Sequence, residues 1–382
     1  MRQIYLDYQA STPMDERVLQ AMLEWLTRPA NPHASENEPG RLAHEAVEKA
    51  RAEIAAALGA EPECVLFTSG ATEAANLALR SLVPGQGHLA ISAIEHPCVT
   101  ETGAELERRG ARLTVIPVDG DGLVDIEEME RVLDDAPDLV SIMAVNNEVG
   151  TVQPISEIAA MCAEVGVAFH SDAAQALGRV PVCLTSGLSA LTISGHKVYG
   201  PQGIGAIAVA PDALPKLKPM LTGGGQQGGI RPGTLPVALC VGLGEACRLA
   251  VLELEADRRH VQDLRDRMLG ILGQELGTVV VNGSLADRVP HNLNLAIPGV
   301  DAQELLARAP RLALSTGSAC SSGAIELSRV LAAMGVDPVT AAASIRIGFG
   351  RGTSIQDVEA AAMMIAGAAR ACREARSTGV GA

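Results

Sequence analysis

The chain has 382 residues, 47% of them hydrophobic by type and 2% aromatic, with a formal net charge of −15. That length supports a large core and two domains, and the acidic balance, with no basic block to interrupt it, argues against a dedicated nucleic-acid binder. No apolar run reaches transmembrane length and the N-terminus is not a secretory signal, so the expected compartment is the cytoplasm.

In chain order, Ile4 to Leu6 reads as a short strand, and Pro13 and Asp15 mark the start of a helix reaching Leu26. A polar loop from Arg28 to Gly40 precedes a long helix over Gly40 to Leu58. Cys64 to Thr68 is a strand, followed at once by Ser69-Gly70-Ala71-Thr72-Glu73 and a helix through Leu82. A strand, a turn of small residues and a helix start present backbone N–H groups to a phosphate, although many helix N-caps look alike. Leu89 to Ala93 is the next strand, ending at Glu95-His96-Pro97, and a helix runs from Val99 to Arg109. Leu113 to Pro117 is a strand. The acidic turn after it misses the calcium-loop spacing and reads as the cap of a helix over 126–134.

Leu139 to Val145 is an apolar strand ending in Asn146-Asn147-Glu148-Val149-Gly150, and Val167 to His170 is a strand ending in Ser171-Asp172-Ala173-Ala174-Gln175. Leu188 to Ile193 and Ile204 to Val209 bracket the turn Ser194-Gly195-His196-Lys197-Val198-Tyr199-Gly200-Pro201. Lys197 is one of only four lysines. It is either a solvated turn residue or an amine held for covalent chemistry with an aldehyde. These polar groups all follow strands, and in an open α/β sheet the ligand lies beyond the carboxyl ends of the strands. One cleft can hold them. No GxGxxG fingerprint occurs, which disfavours a dinucleotide fold.

The stretch from Thr222 to Thr234 has six glycines in thirteen residues and reads as a loop approaching a ligand or another subunit. Pro236 to Arg267 is mostly helix, and residues 268–382 form a second α/β unit. Strands are expected at Thr278 to Val281, Asn292 to Ala296 and Ser344 to Ile347, with helices at Asp301 to Ala309, up to Met334 and after Ser354. The eight cysteines show no CxxC or zinc spacing. Most read as small core residues. Cys320 differs, because Leu314 to Gly323 is small and polar throughout and leaves that thiol either accessible or semi-buried in a helix cap. Arg346 lies between apolar strand residues and needs an anion, either a substrate carboxylate or a structural partner.

Taken in order, Phe67 to Glu73, Glu95-His96-Pro97, Asn146 to Gly150, Ser171 to Gln175, Ser194 to Pro201 and Gly317-Ser318-Ala319-Cys320 resemble the cysteine desulfurases. These are pyridoxal-phosphate enzymes, and the resemblance is to their Gly-Ser-Ala-Cys branch and covers nearly the whole chain. It implies the type I fold of these enzymes: a large α/β domain with a mainly parallel seven-stranded sheet over 15–255, and a smaller domain from 1–14 and 256–382. It implies pyridoxal 5'-phosphate joined to Lys197, with Asp172 at its ring nitrogen, Gln175 at its phenolic oxygen and His96 stacked on the ring and active in proton transfer. Gly70, Ala71, Thr72, Ser194 and His196 would hold the phosphate, with Thr234 reaching it across a homodimer interface. Asn147 and Arg346 would bind the carboxylate of L-cysteine. Cys320 would take the sulfur as a persulfide, pass it to an acceptor or an iron–sulfur scaffold protein, and could act as a transient iron–sulfur ligand; no resident metal is expected. Neighbouring readings are a selenocysteine lyase, another lyase or aminotransferase of the fold, a supplier of sulfur for tRNA thiolation, or a scaffold without cofactor. Relatives usually carry Glu, Arg and Ser where this chain has Gln227, Gly228 and Pro232, which removes two charges expected near the dimer seam. Cys98, beside His96-Pro97, is read as a small side chain and not as a second nucleophile.

Overall fold

Apolar strands that are enclosed on both faces need helices on both sides, and this chain supplies them alternately. A computed structural model describes residues 3–184, 187–316 and 327–379. The first half runs β1 (Ile4–Tyr5), α1 (Glu16–Thr27), α2 (Glu38–Leu58), β2 (Val65–Thr68), α3 (Ala71–Leu82), β3 (His88–Ser92), α4 (Pro97–Arg108), β4 (Arg112–Ile116), α5 (Ile126–Asp134), β5 (Leu139–Ser141), α6 (Ile155–Val165), β6 (Ala168–Asp172), β7 (Ala190–Ser194) and β8 (Gly205–Val209). It continues with α7 (Val237–Leu252), α8 (Leu254–Leu276), β9 (Val280–Val281), β10 (Asn292–Ala296), α9 (Ala302–Arg308), β11 (Leu312–Ala313), α10 (Arg329–Ala333), α11 (Pro338–Ala342), β12 (Ser344–Gly348) and α12 (Ile355–Gly379).

Strands β2 to β8 form one seven-stranded sheet in the order β2-β8-β7-β6-β5-β3-β4. Only β8 runs against its neighbours, so six strands end on the same side. The mainly parallel sheet expected from the sequence is therefore present. Its central strands β7 and β8 are buried at every position, whereas β4, at one edge, alternates toward exposure. Alanines and glycines let α2 and α7 approach closely: a Cβ at Gly244 would lie 2.7 Å from Ala50 Cα. A second sheet, β12-β10-β9, is antiparallel, and β1 pairs in parallel with β11. Leu6, Leu264, Leu293, Ile347 and Ile365 share one apolar cluster in this part of the molecule, apart from the cluster of Phe67, Phe169, Ile193 and Leu243 under the large sheet.

Two expected boundaries shift. The strand expected to reach Val145 ends at Ser141, although Ile142 and Ala144 still donate N–H bonds to His170 and Asp172. The long helix starts at Glu38 and not Gly40, because the Asn37 side chain caps it and Pro39 fits the first turn. The stretch Pro236 to Arg267, expected to be mostly helix, is so, as two helices that break at Glu253. There the Glu253 carboxylate is drawn into ion pairs with Arg17 at 2.5 Å and Arg351 at 3.0 Å.

Candidate active site

The five polar segments that follow strands do meet. A cavity of about 720 Å³ is lined by Gly70, Ala71, Thr72, His96, Asn147, Asp172, Gln175, Ser194, His196, Lys197 and Arg346, along with Gln9, Ala10 and Cys98. It opens at the carboxyl ends of β2, β3, β5, β6 and β7, the place the sheet topology selects. A cavity of about 910 Å³ lies at the opposite end of the sheet, against Val167, Leu188 and Val209, and has no comparable set of converging acids and bases.

Lys197 ends a single 3-10 turn, Gly195–Lys197, that leaves β7. The chain around Gly195 is tight: a Cβ there would meet Pro201 O at 2.5 Å. Lys197 Nζ donates to Gln9 O at 2.6 Å and Ala10 O at 2.8 Å. Burial, then the positive charges of Arg179 and Arg346, bring its amine down to about 8. The turn is thus not a solvated surface feature.

Asp172 closes β6 and is buried. Its Oδ1 accepts from the Ala174 N–H at 2.8 Å, and its Oδ2 meets the Cys98 thiol at 4.0 Å. Burial pushes the carboxyl up, against the pull of His96 and Lys197. An acid enclosed in this way needs a cation in the cavity. His96 caps α4, and its Nδ1 accepts the Cys98 N–H at 3.1 Å. The neutral ring therefore carries its proton on Nε2, and burial disfavours the imidazolium. Burial, then the charges of Asp172 and Glu95, also push the Cys98 thiol well above its ordinary value, which favours its protonated form.

After β2, Gly70 caps α3, which begins at Ala71. Gly205 lets β8 pass directly under it, since a Cβ there would be 2.7 Å from Gly70 Cα. Ser194 and His196 reach the same cavity wall, and burial takes His196 down to about 4. Thr234 is exposed and is not among the residues lining the cavity. Cys320 lies outside the described residues.

Arg346 has a structural partner, the second of the sequence alternatives. It pairs with Asp7 at 2.8 Å and donates to Asn147 O at 3.1 Å, while its buried Nε has no partner among the described residues. Sequence reasoning missed Asp7, Gln9 and Arg179. Gln9 and Asp7 sit in the polar segment after β1, and only the pairing of β1 and Asp7 with the second unit brings them to the site.

The family model for class-V aminotransferases matches residues 4–361. The cysteine desulfurase IscS of Rickettsia bellii (strain OSU 85-389) is 43% identical over 368 residues, covering 95% of this chain and 90% of that protein. The chain belongs to the cysteine desulfurase family. Two solved structures lie close to this desulfurase. One is the X-ray structure of a NifS-like protein from Rickettsia africae ESF-5, with TM-score 0.86, 32% identity and coverage of 96% of this chain and 99% of that one. The other is SspA in complex with cysteine, with TM-score 0.79, 33% identity and coverage of 91% and 99%.

Desulfurases of this family depend on pyridoxal 5'-phosphate, and the residues of this cavity fit it. The buried Asp172 carboxyl, its Oδ2 4.0 Å from the Cys98 thiol, suits a protonated ring nitrogen, the Lys197 amine suits an aldehyde, and the start of α3 suits a phosphate.

Proposed function

We propose that this desulfurase removes sulfur from L-cysteine as L-alanine is formed, carries it on Cys320, and delivers it to an acceptor in iron–sulfur cluster assembly. What carries this reading is the meeting of Lys197, Asp172, His96 and Arg346 in one cavity. When bound, the cofactor supplies an aldehyde for the amino group and a ring that draws electrons from Cα. Asp172 would keep the ring nitrogen protonated, Gln175 would donate to the phenolic oxygen, and His96 would stack on the ring. Gly70, Ala71, Thr72, Ser194 and His196 would hold the phosphate. Arg346, through its free Nε, and Asn147 hold the carboxylate of L-cysteine. Lys197 Nζ takes the Cα proton and returns it, acting near its own pKa. The Cys320 thiolate attacks the substrate sulfur as the substrate Cβ–S bond breaks; the electron pair stays with the carbon fragment, which takes up a proton and leaves as L-alanine, and the sulfur remains on Cys320 as a persulfide.

The same reading divides the chain into a large domain, 15–255, and a small domain, 1–14 with 256–382, which the two apolar clusters support. It takes the active form as a homodimer in which Thr234 reaches the partner's phosphate site, consistent with its exposure. Among the described residues no helix is long and apolar enough to cross a membrane, and we place the reaction in the cytoplasm. The test is Cys320→Ala. Sulfide release from L-cysteine should fall to background while the bound cofactor's absorbance stays that of the parent protein. Undiminished release by that variant would contradict the persulfide step and favour a lyase that needs no thiol.

A further inference from the structure

Arg179 lies beneath the Lys197 turn, and nothing above gives it a role. It follows Gln175 by four residues just after β6, and it is 5% exposed. Its partners are all neutral oxygens. One guanidinium nitrogen donates to Gln175 O at 2.9 Å and to Gln175 Oε1, and the other donates to Lys197 O at 3.4 Å and Tyr8 O at 3.5 Å. No carboxylate pairs with it among the described residues, and the group set against its burial is the Tyr199 phenol. An unpaired buried cation costs free energy that an apolar side chain of similar size would not.

Two consequences follow from where this charge sits. Gln175 Oε1 accepts from Arg179, so the amide nitrogen points the other way and donates to Gln9 O at 2.9 Å; both Gln175 and Gln9 line the cavity. A flipped amide would set NH₂ groups against guanidinium N–H groups, donor against donor. The Lys197 carbonyl also accepts from Arg179, which brings a fixed positive charge under the turn that carries the amine. The groups whose charge bears on that amine are Arg179 and Arg346, which oppose its protonation, and Asp172 and Asp7, which favour it. His96 and His196 face it as well, and burial keeps both neutral at pH 7.

We propose that Arg179 is a positioning residue that holds the Gln175 amide with Nε2 toward the cavity and sets a fixed cation against the Lys197 amine, leaving that amine free to react at neutral pH. The inference rests on Lys197 as the reactive amine. Its support includes the ranking of Arg179 directly after burial among the causes that bring the amine down to about 8.

The experiment is the pH dependence of Lys197 acetylation in the cofactor-free protein, read by mass spectrometry of its peptide. Wild type should show half-maximal labelling near pH 8, and Arg179→Lys, which keeps the charge, should match it. Arg179→Gln, which removes the charge but can still donate to the carbonyls, should raise the half-point by about one pH unit. An unchanged half-point in Arg179→Gln, or an equal rise in both variants, overturns the proposal. If Arg179→Gln does not fold, Gln175→Glu neutralises the guanidinium with an isosteric carboxylate. The half-point should then rise, and its failure to do so overturns the proposal equally. Because the labelling uses neither cofactor nor L-cysteine, it stands apart from the desulfurase reading, whose failure would appear as missing alanine and persulfide.

Discussion

Glu95 is fully enclosed at the end of β3, one residue before His96. Its Oε1 accepts from Ser92 Oγ at 2.6 Å and the Met143 N–H at 2.7 Å, and its Oε2 has no partner among the described residues. Burial first, opposed by those two bonds and aided by Asp172, raises its carboxyl from 4.5 to about 8. The fold therefore holds it as a neutral acid that ties β3 to the chain after β5. A raised folded value gives stability that is complete below the unfolded value, about 4.5, and is lost as pH climbs through about 8. Glu95→Gln keeps the Oε1 acceptor and cannot ionise. Its thermal stability relative to wild type should rise between pH 5 and pH 8.5, by up to about 4 kcal/mol at the upper end. Parallel stability curves for the two proteins would show that Glu95 is ionised in the fold. The sequence made the Glu95-His96-Pro97 motif visible, and His96 could be placed at a strand end. The state of Glu95 was not legible, because it depends on Ser92 and Met143 closing around it from two strands. Arg179 was missed for a related reason: its identity as a buried cation appears only once Tyr8 and Lys197, far apart in sequence, lie over it.

Among the elements, the edge strand β2 shows how one departure from the family pattern is accommodated. Gln227 accepts from the Phe67 N–H at 2.7 Å and donates to Phe67 O at 2.9 Å. A neighbouring strand would make the same two bonds, so the side chain covers an exposed sheet edge. Gln227 does this from the left-handed region, with φ +48°, and the same loop carries Arg231 into an ion pair with Glu73 at 3.0 Å. The loop that leads to Thr234 is thereby pinned to the start of α3. Glu at 227 accepts but cannot donate while ionised. Gln227→Glu should lower stability by about 1–3 kcal/mol at neutral pH through the unmatched Phe67 carbonyl. The melting-temperature deficit should shrink as pH falls and the new carboxyl regains a proton. A deficit independent of pH would mean that the amide's donor bond is not what holds the loop. From sequence, this position read only as a lost charge near a subunit seam. A side chain that imitates a strand has no periodicity to betray it, whereas β7 and β8 are buried throughout and mostly apolar and were legible as strands. The break between α7 and α8 was hidden likewise. Glu253 suits a helix, and only its pull toward Arg17 and Arg351 ends one there.

Across the whole molecule, the N-terminal segment joins the parts that make the site. β1 pairs with β11, Asp7 reaches Arg346, Gln9 accepts from Lys197 and Gln175, and Asp15 meets Arg351 at 2.7 Å. Arg351 also pairs with Asp257 at 2.8 Å and lies 4.0 Å from the centre of the Tyr199 ring. The second unit is thus fastened to the turn that presents Lys197. The sequence told which segments end strands, and the ligand rule for α/β sheets then gathered them in one cavity. It did not tell that residues 9–11 form one wall, because a polar segment without period gains its place only from long-range pairing. The account as a whole requires that sulfur leave L-cysteine in this cavity and arrive on Cys320. The direct measurement is incubation of the intact protein, loaded with cofactor and without reductant, with L-cysteine labelled at sulfur, followed by peptide mapping and assay of alanine. The account predicts labelled sulfur on the Cys320 peptide in step with alanine formed. Alanine without label on Cys320, or label gathered instead on the exposed Cys183, would contradict it.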